Sequence, residues 1–327
     1  MPTSRRKPVV GVSAAIPPAL LALLPAAIEL APLPPVPAEG LEVEFWIAPP
    51  YADEAMRIVP RLRGLRVIQS VLAGVEWLLP LAPPGVTVCD ARGVHTLATA
   101  EWALAVMLAT LKYLPFYVAL QQEAAWQRRN EAEARFRALF PAAPPCYPPV
   151  RLEELRRKTV LILGYGAIGA QIERLLLPFR VRVLRVARRR RAQVHPVAQL
   201  PALLPAADIV VVSVPLTAET VGLVGAPELA RMPRGALLVN LSRGGVVDTP
   251  ALVEELHRGR IRAALDVTDP EPLPAEHALW RAPNVLITPH VAASSPEFMV
   301  RAMRFAAAQL RRYLQGAPLR NVVSGSY

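Results

Sequence analysis

Short apolar runs recur along the chain, set apart by turn-forming clusters. In residues 1–94 the runs Val9–Val12, Leu41–Ile47, Val67–Gln69 and Val86–Cys89 read as strands, because proline and glycine clusters bound each of them. Ala19–Ile28 and Ala52–Ile58 read as helices. A long helical pattern follows from Ala98 to Leu114 and continues past Pro115 to about Arg137. Pro115 should kink or split it, since a proline ring removes one helical hydrogen bond and clashes with the preceding turn. The stretch Phe140–Val150 holds five prolines in eleven residues, so it is read as a loop.

From Thr159 the period changes. Thr159–Leu163, Val181–Val186, Ile209–Val214, Ala236–Asn240, Ala263–Asp266 and Val285–Thr288 are strand-like, and Ala170–Leu177 is helical. Strands this uniformly apolar, alternating with helical or loop segments, predict a parallel, doubly wound sheet covered on both faces. Phe298–Leu314 closes the pattern as an amphipathic helix. No internal repeat is visible.

Composition sharpens this picture in three places. With 327 residues, 53% hydrophobic and 19% charged, the chain suits two domains, or one large one, with a sizeable core, and excludes global disorder. The net charge of +11 is carried almost wholly by arginine, with three lysines among 37 basic residues. Such a charge attracts anionic substrates and phosphates as well as polyanions. A nucleic-acid binder is not expected, because no aromatic-plus-basic module accompanies the charge. Two cysteines, Cys89 and Cys146, make neither a disulfide framework nor a metal site, and a cytoplasmic setting is expected. Arg5-Arg6-Lys7 before Val9–Leu24 has the outline of a secretory leader. Pro8, Pro17, Pro18 and Pro25 interrupt it, and a strand followed by a helix is expected there instead. No unbroken apolar run is long enough to predict a membrane span.

The clearest chemical signal is Gly164-Tyr-Gly166-Ala167-Ile168-Gly169, placed after a strand and opening a helix. The first glycine permits the tight turn, the second admits a pyrophosphate, and the third lets helix and strand pack closely. N–H groups at the helix start then receive the phosphates. The acid expected about 20 residues on, to hold a ribose 2′-OH, is missing: no Asp or Glu lies between Glu173 and Asp208. The second strand runs instead into Arg188-Arg189-Arg190-Arg191. Sequence leaves two readings of this run, a 2′-phosphate site and a solvated basic turn. The first predicts NADP(H) in preference to NAD(H).

In an open parallel sheet, ligands sit beyond the carboxyl ends of the strands. Polar residues interrupt four of those ends: Ser213-Val214-Pro215, Leu241-Ser242-Arg243, Asp266 through Glu271, and Thr288-Pro289-His290. Together with Gly164–Gly169, the segments Asn240–Asp248, Ala264–Pro274 and Asn284–His290 strongly resemble the D-isomer-specific 2-hydroxyacid dehydrogenases. That group includes glyoxylate/hydroxypyruvate reductases. The likeness extends to Gln69–Glu76 and Gly93–Glu101, and so covers essentially the whole chain.

The resemblance implies an oxidoreductase that reduces a small 2-keto acid to the D-2-hydroxy acid. Arg243 would grip the substrate carboxylate and carbonyl, His290 would exchange the proton with the carbonyl oxygen, and Glu271 would fix the His290 tautomer and favour its charged form. Leu72, Ala73 and Gly74 would receive the substrate carboxylate. Thr99, Val214, Pro215, Ser242 and Asp266 would lie at the cofactor, with Asp266 on the nicotinamide carboxamide. No metal is implied. Glu271 stands where formate-oxidising members carry Gln, which argues against formate. Trp46, Trp77 and Trp280 are pocket candidates but are read first as packing. The implied fold is two Rossmann-like α/β domains, a substrate domain split into 1–94 and 293–327 and a nucleotide domain over 95–292, with hinges near His95 and Ala292. A homodimer is implied, through the nucleotide domain and the helical arm near Leu104–Arg137. The alternative from another class is a nucleotide-sensing, corepressor-like binding protein of the same fold.

Overall fold

In the computed structural model, residues 6–143 and 151–323 are described. The chain divides into two compact units, Met1–His95 with Ser294–Tyr327, and Thr96–Ala293. Most of the proline-rich loop expected over 140–150, including Cys146, lies outside the described residues, as does Arg5.

The first unit begins β1 (Val9–Ser13), α1 (Pro18–Leu21), β2 (Glu29–Leu33), β3 (Leu41–Glu42), β4 (Phe45–Ala48), α2 (Ala52–Ile58), β5 (Leu62–Arg63), β6 (Val67–Ser70) and β7 (Thr87–Cys89). Five of these strands form a parallel sheet in the order β2-β1-β4-β6-β7. The helix expected over Ala19–Ile28 stops at Leu21, because the position before Pro25 resists helical geometry. The chain then enters β2, which carries Pro32 and sits at the sheet edge where a missing N–H is tolerated. The single strand expected over Leu41–Ile47 is two. Val43 N–H bonds the Arg63 carbonyl while Glu44 N–H bonds the Val9 carbonyl, so the chain changes partner between them.

The second unit opens with a helical arm. α3 (Thr96–Leu111) and α4 (Leu114–Gln122) are bent by 68° at Tyr113, whose φ of 52° is left-handed, and Pro115 lies in the first turn of α4. A further break precedes α5 (Glu131–Leu139), so the helix expected to run to Arg137 is three pieces. Among the described residues no single helix is long and apolar enough to cross a membrane. Next come β8 (Thr159–Leu163), α6 (Ala167–Leu176), β9 (Arg182–Ala187), β10 (His195–Pro196), α7 (Leu200–Leu203), β11 (Ile209–Val212), α8 (Ala226–Arg231), β12 (Leu237–Asn240), α9 (Thr249–His257), β13 (Arg262–Leu265) and β14 (Val285–Ile287).

The seven strands lie parallel in the order β10-β9-β8-β11-β12-β13-β14. From β8 the chain winds first toward β10, then from β11 toward β14, and the strand order reverses beside β8. That reversal point is where a doubly wound sheet opens its ligand crevice. Alternate residues serve opposite faces. Leu161, Val210, Val212 and Leu238 enter one core cluster, and Val160, Ile162, Ile209 and Val211 the other. Burying each such side chain stabilises the fold by about 1.5–3 kcal/mol. The strands are therefore held rigidly from both sides, and the loops at their carboxyl ends inherit fixed starting points.

The chain returns to the first unit as α10 (Phe298–Leu314). Its buried face, including Ala302, Met303, Ala306 and Leu310, packs with Val10, Phe45, Ile47 and Val67 of the sheet. Residues beyond α10 then run back along β7, where Val322 forms an antiparallel bridge with the buried Cys89.

Candidate active site

Each glycine of the fingerprint has a separate physical reason. Gly164 has φ of 102°, and a Cβ there would lie 2.3 Å from the Ser213 carbonyl oxygen. Only glycine allows this turn to press on the end of β11. A Cβ on Gly169 would meet Ile162 at 2.9 Å, so helix α6 lies directly on strand β8. Gly166, at the N-cap of α6, faces open space. A cradle of this form, open at a ten-residue helix whose first N–H groups lack intrahelical partners, fits a pyrophosphate. The residues present therefore suit a dinucleotide, with Gly166, Ala167 and Ile168 at its phosphates.

A polar network braces the loop from behind. Tyr165 Oη donates to Glu173 Oε2 at 2.6 Å, and Arg185 Nε donates to the same oxygen at 2.8 Å. The hydrogen bond from Arg185 holds the Glu173 carboxyl below the usual carboxylate range despite partial burial. Beyond β9, Arg188 through Arg191 are all exposed, and Arg191 Nη2 donates to the Tyr165 carbonyl at 2.6 Å. An acid in the loop after β11 is coupled electrostatically to this turn. The Glu219 carboxyl is held low by the Thr217 hydroxyl, which donates at 2.7 Å, by its own backbone and by the charge of Arg188.

The carboxyl ends of β12, β13 and β14 are tied to one another. Asn240 is 1% exposed; its Oδ1 accepts from the N–H and hydroxyl of Ser242, and its Nδ2 donates to the Arg243 carbonyl at 3.0 Å. Arg243 is thereby fixed in extended backbone, half-buried, with Nη1 on the Ser242 carbonyl at 2.8 Å. A Cβ on Gly244 would fall 1.9 Å from the Thr268 carbonyl oxygen. The loop carrying Arg243 therefore presses, backbone on backbone, against the loop leading to Glu271.

Asp266 organises the last loop. Its carboxylate is 2% exposed and accepts from Thr288 Oγ1 at 2.6 Å, Val291 N–H at 2.9 Å and Ala292 N–H at 2.8 Å. His290 between them has φ of 52°, a left-handed conformation uncommon outside glycine. The neighbouring bonds hold it there, and its ring Nδ1 lies 2.5 Å from Glu271 Oε1. An ionised carboxylate only accepts, so Nδ1 carries the proton and Nε2 is the nitrogen left for a ligand. The two side chains remain 44% and 38% exposed, reachable by a small molecule. Such a pair can donate and recover a proton with its tautomer fixed.

Residues 104–292 match the NAD-binding domain of the D-isomer specific 2-hydroxyacid dehydrogenases. The chain belongs to this family. It is 36% identical over 244 residues to a glyoxylate reductase/hydroxypyruvate reductase of Mus musculus, covering 71% of this chain and 69% of that protein. It is 32% identical over 275 residues to a D-3-phosphoglycerate dehydrogenase of Archaeoglobus fulgidus, covering 82% of this chain, and it spans about half of that longer protein, 49%. The crystal structure of an NADPH-dependent glyoxylate/hydroxypyruvate reductase of Sinorhizobium meliloti, with NADP and sulfate, superposes with a TM-score of 0.76. It is 28% identical, and 98% of each chain is covered.

The remaining sites expected of this dehydrogenase fold lie as follows. Val214 and Pro215 are half-buried beyond β11, and Ser242 is 8% exposed with its hydroxyl on Asn240. Thr99 is buried in the first turn of α3. In the first unit, Leu72, Ala73 and Gly74 are half-buried after β6. The other histidines are engaged locally: His95 stacks on Phe298, His195 bonds Gln199, His257 bonds the Val253 carbonyl, and His277 accepts from Leu279 N–H. Trp46 is wholly buried, and Trp280 donates to the Pro274 carbonyl. Asn240 and Glu219 were given no role of their own by sequence reasoning, and Thr288 entered it only as the strand end leading to His290. A polar residue closing the apolar run Leu237–Val239 was the available signal for Asn240.

Proposed function

We propose that the protein reduces a small 2-keto acid of the glyoxylate or hydroxypyruvate class to the D-2-hydroxy acid, with NADPH preferred over NADH, as a homodimer. The observation carrying this reading is the Glu271–His290 pair, held at 2.5 Å on a sheet edge that also presents Arg243 and the glycine cradle. A bound nicotinamide supplies the hydride. Arg243 grips the carboxylate and the carbonyl oxygen with its planar fork, which fixes the carbonyl face. His290 Nε2 donates a proton to the oxygen as the carbonyl carbon is reduced, and recovers one from solvent. Glu271 keeps the proton on Nδ1 and stabilises the imidazolium that precedes each transfer. Asp266 acts by holding the backbone that aims His290.

Four exposed arginines, Arg188 to Arg191, at the end of β9, where no acid occurs along the strand, support the 2′-phosphate. Leu114, Val118 and Trp126 on the arm are 49%, 52% and 79% exposed, an apolar surface that suits a second copy. The deciding experiment is oxidation of NADPH and NADH with glyoxylate, hydroxypyruvate, pyruvate and bulkier keto acids, beside His290→Gln. Turnover with glyoxylate or hydroxypyruvate, faster with NADPH and lost in the variant while NADPH still binds, is expected. Binding of NADPH without turnover of any acid would favour the nucleotide-sensing alternative.

A further inference from the structure

Two buried glutamines in the first unit meet end to end. Gln69, the third residue of β6, is 0% exposed, and Gln309, in the middle of α10, is 1% exposed. Gln309 Nε2 donates to Gln69 Oε1 at 3.0 Å and to the Arg320 carbonyl at 2.8 Å, while its Oε1 accepts from Arg320 N–H at 2.9 Å. Gln309 thus clasps one backbone unit of the C-terminal segment as a neighbouring strand would. Gln69 Nε2 donates in turn to the carbonyls of Ser70, Cys89 and Asp90 at 2.8, 3.4 and 3.2 Å. Every donor and acceptor of both amides is used, and a buried network satisfied to this degree specifies one arrangement.

The segment that Gln309 clasps lies on the edge of the sheet. Val323 N–H donates to the Val88 carbonyl at 2.9 Å, and Asp90 N–H to the Asn321 carbonyl at 3.1 Å. Asn321 Nδ2 reaches the Arg92 carbonyl at 3.0 Å. This strap therefore pairs with β7 and fixes residues 89–92. Those residues in turn fix the loop after β6. Ala91 N–H donates to the Leu72 carbonyl at 2.8 Å, and Ser70 Oγ accepts from Leu72 N–H at 2.9 Å.

We propose that Gln309 and Gln69 are positioning residues that make the C-terminal strap a brace for Leu72, Ala73 and Gly74, and so set substrate affinity. The path runs from Arg320 through the two amides to the carbonyls at 70, 89 and 90, and from there to both backbone bonds of Leu72. The inference rests on the reading of Leu72–Gly74 as the segment that takes the substrate carboxylate. Cofactor affinity belongs to glycines and arginines of the second unit and should not respond.

The test compares Gln309→Leu, which removes every polar contact of the side chain, with Asn321→Ala, which loosens the strap and leaves the amide pair intact. Three quantities are measured on the full chain: amide hydrogen exchange over residues 70–76, KM and kcat for glyoxylate, and the dissociation constant of NADPH. Both variants are expected to speed exchange at 70–76 and to raise KM five- to twentyfold. kcat and NADPH affinity should stay within twofold. A purely structural role would instead lower the folded fraction, reducing kcat with KM unchanged. Unchanged exchange at 70–76 in both variants would overturn the proposal. Faster exchange with unchanged KM in an active enzyme would also overturn it, by showing that the loop does not control substrate. Absence of turnover in the unsubstituted protein would refute the reductase reading, and the exchange measurement would still decide the brace.

Discussion

The backbone N–H of His290 donates to the carbonyl of Asp266 at 2.7 Å, so the residue proposed to move the proton hangs from the backbone of Asp266. The Asp266 carboxylate completes the hold through Thr288, Val291 and Ala292. Asp266→Asn keeps the volume but turns one acceptor into a donor aimed at N–H groups. Because the site is buried, the expected cost is about 1–3 kcal/mol of stability. Turnover should fall by about 10–100-fold, as for partners that orient a reacting group. Chemical denaturation and steady-state kinetics on the same preparation check both.

Glu271→Gln removes the charge that fixes the proton on Nδ1 while leaving a side chain able to bond. Loss of tautomer control should reduce kcat by about 10²–10⁴-fold, with NADPH affinity unchanged. Equilibrium NADPH binding, followed by single-turnover reduction, separates the two.

The fingerprint glycines should part company. Gly164→Ala places a Cβ against the Ser213 carbonyl at a φ of 102° and should destabilise the second unit by more than about 3 kcal/mol. Gly166→Ala adds its methyl to open space and should leave thermal stability within about 0.5 kcal/mol. It should nevertheless weaken cofactor binding, since the methyl occupies the proposed phosphate seat. Thermal melts with and without NADPH read out the contrast.

Arg188→Ala should weaken NADPH about tenfold, equivalent to about 1.4 kcal/mol for one charge-assisted contact. NADH should be held unchanged or slightly less tightly, and the NADPH deficit should shrink at high salt. Glu219→Gln should act in the opposite sense, because it removes a negative charge that Arg188 senses. Titration of both cofactors at two ionic strengths tests the pair.

The Arg185–Glu173 pair gives stability a pH dependence of fixed sign. The Glu173 carboxyl is held low by Arg185, so the folded protein binds fewer protons than the unfolded chain between the two values. The contribution is complete above the ordinary carboxylate range and is lost as pH falls through the lowered value. The unsubstituted protein should therefore lose urea resistance more steeply from pH 6 to pH 3 than Glu173→Gln does; parallel curves would remove the pair from the ledger of acid stability.

Much of the fold was legible because strands buried on both faces leave an unbroken apolar signature. β8, α2 and α10 stand where the periodicity put them. The failures have tertiary causes. Nothing local marks the switch of partner at Val43 and Glu44, and β2 with its proline is a strand only because it lies at an edge. In the site, the Glu271–His290 contact was foreseen through family resemblance, and the structure brings those two side chains together. Arg243 reaches the same edge by backbone packing at Gly244, a contact between loops distant in sequence. The work of Asn240 and Asp266 was hidden for a similar reason, as their partners lie on neighbouring loops. The electrostatic coupling of Glu219, in the loop after β11, to Arg188 depends on strand order, so a search for an acid along β9 alone misses it.

Beneath the C-terminal strap, burial and the adjacent Asp90 push the Cys89 thiol up to about 12. A sulfur so protonated and shielded is inert to alkylating agents. Opening of both the strap and the α10 face that covers Cys89 would return it to solvent and to an ordinary acidity near 8.5, where thiolate forms readily. The molecule thus carries its own chemical clock: the rate of iodoacetamide capture at Cys89 counts how often the α10 face and the strap open together.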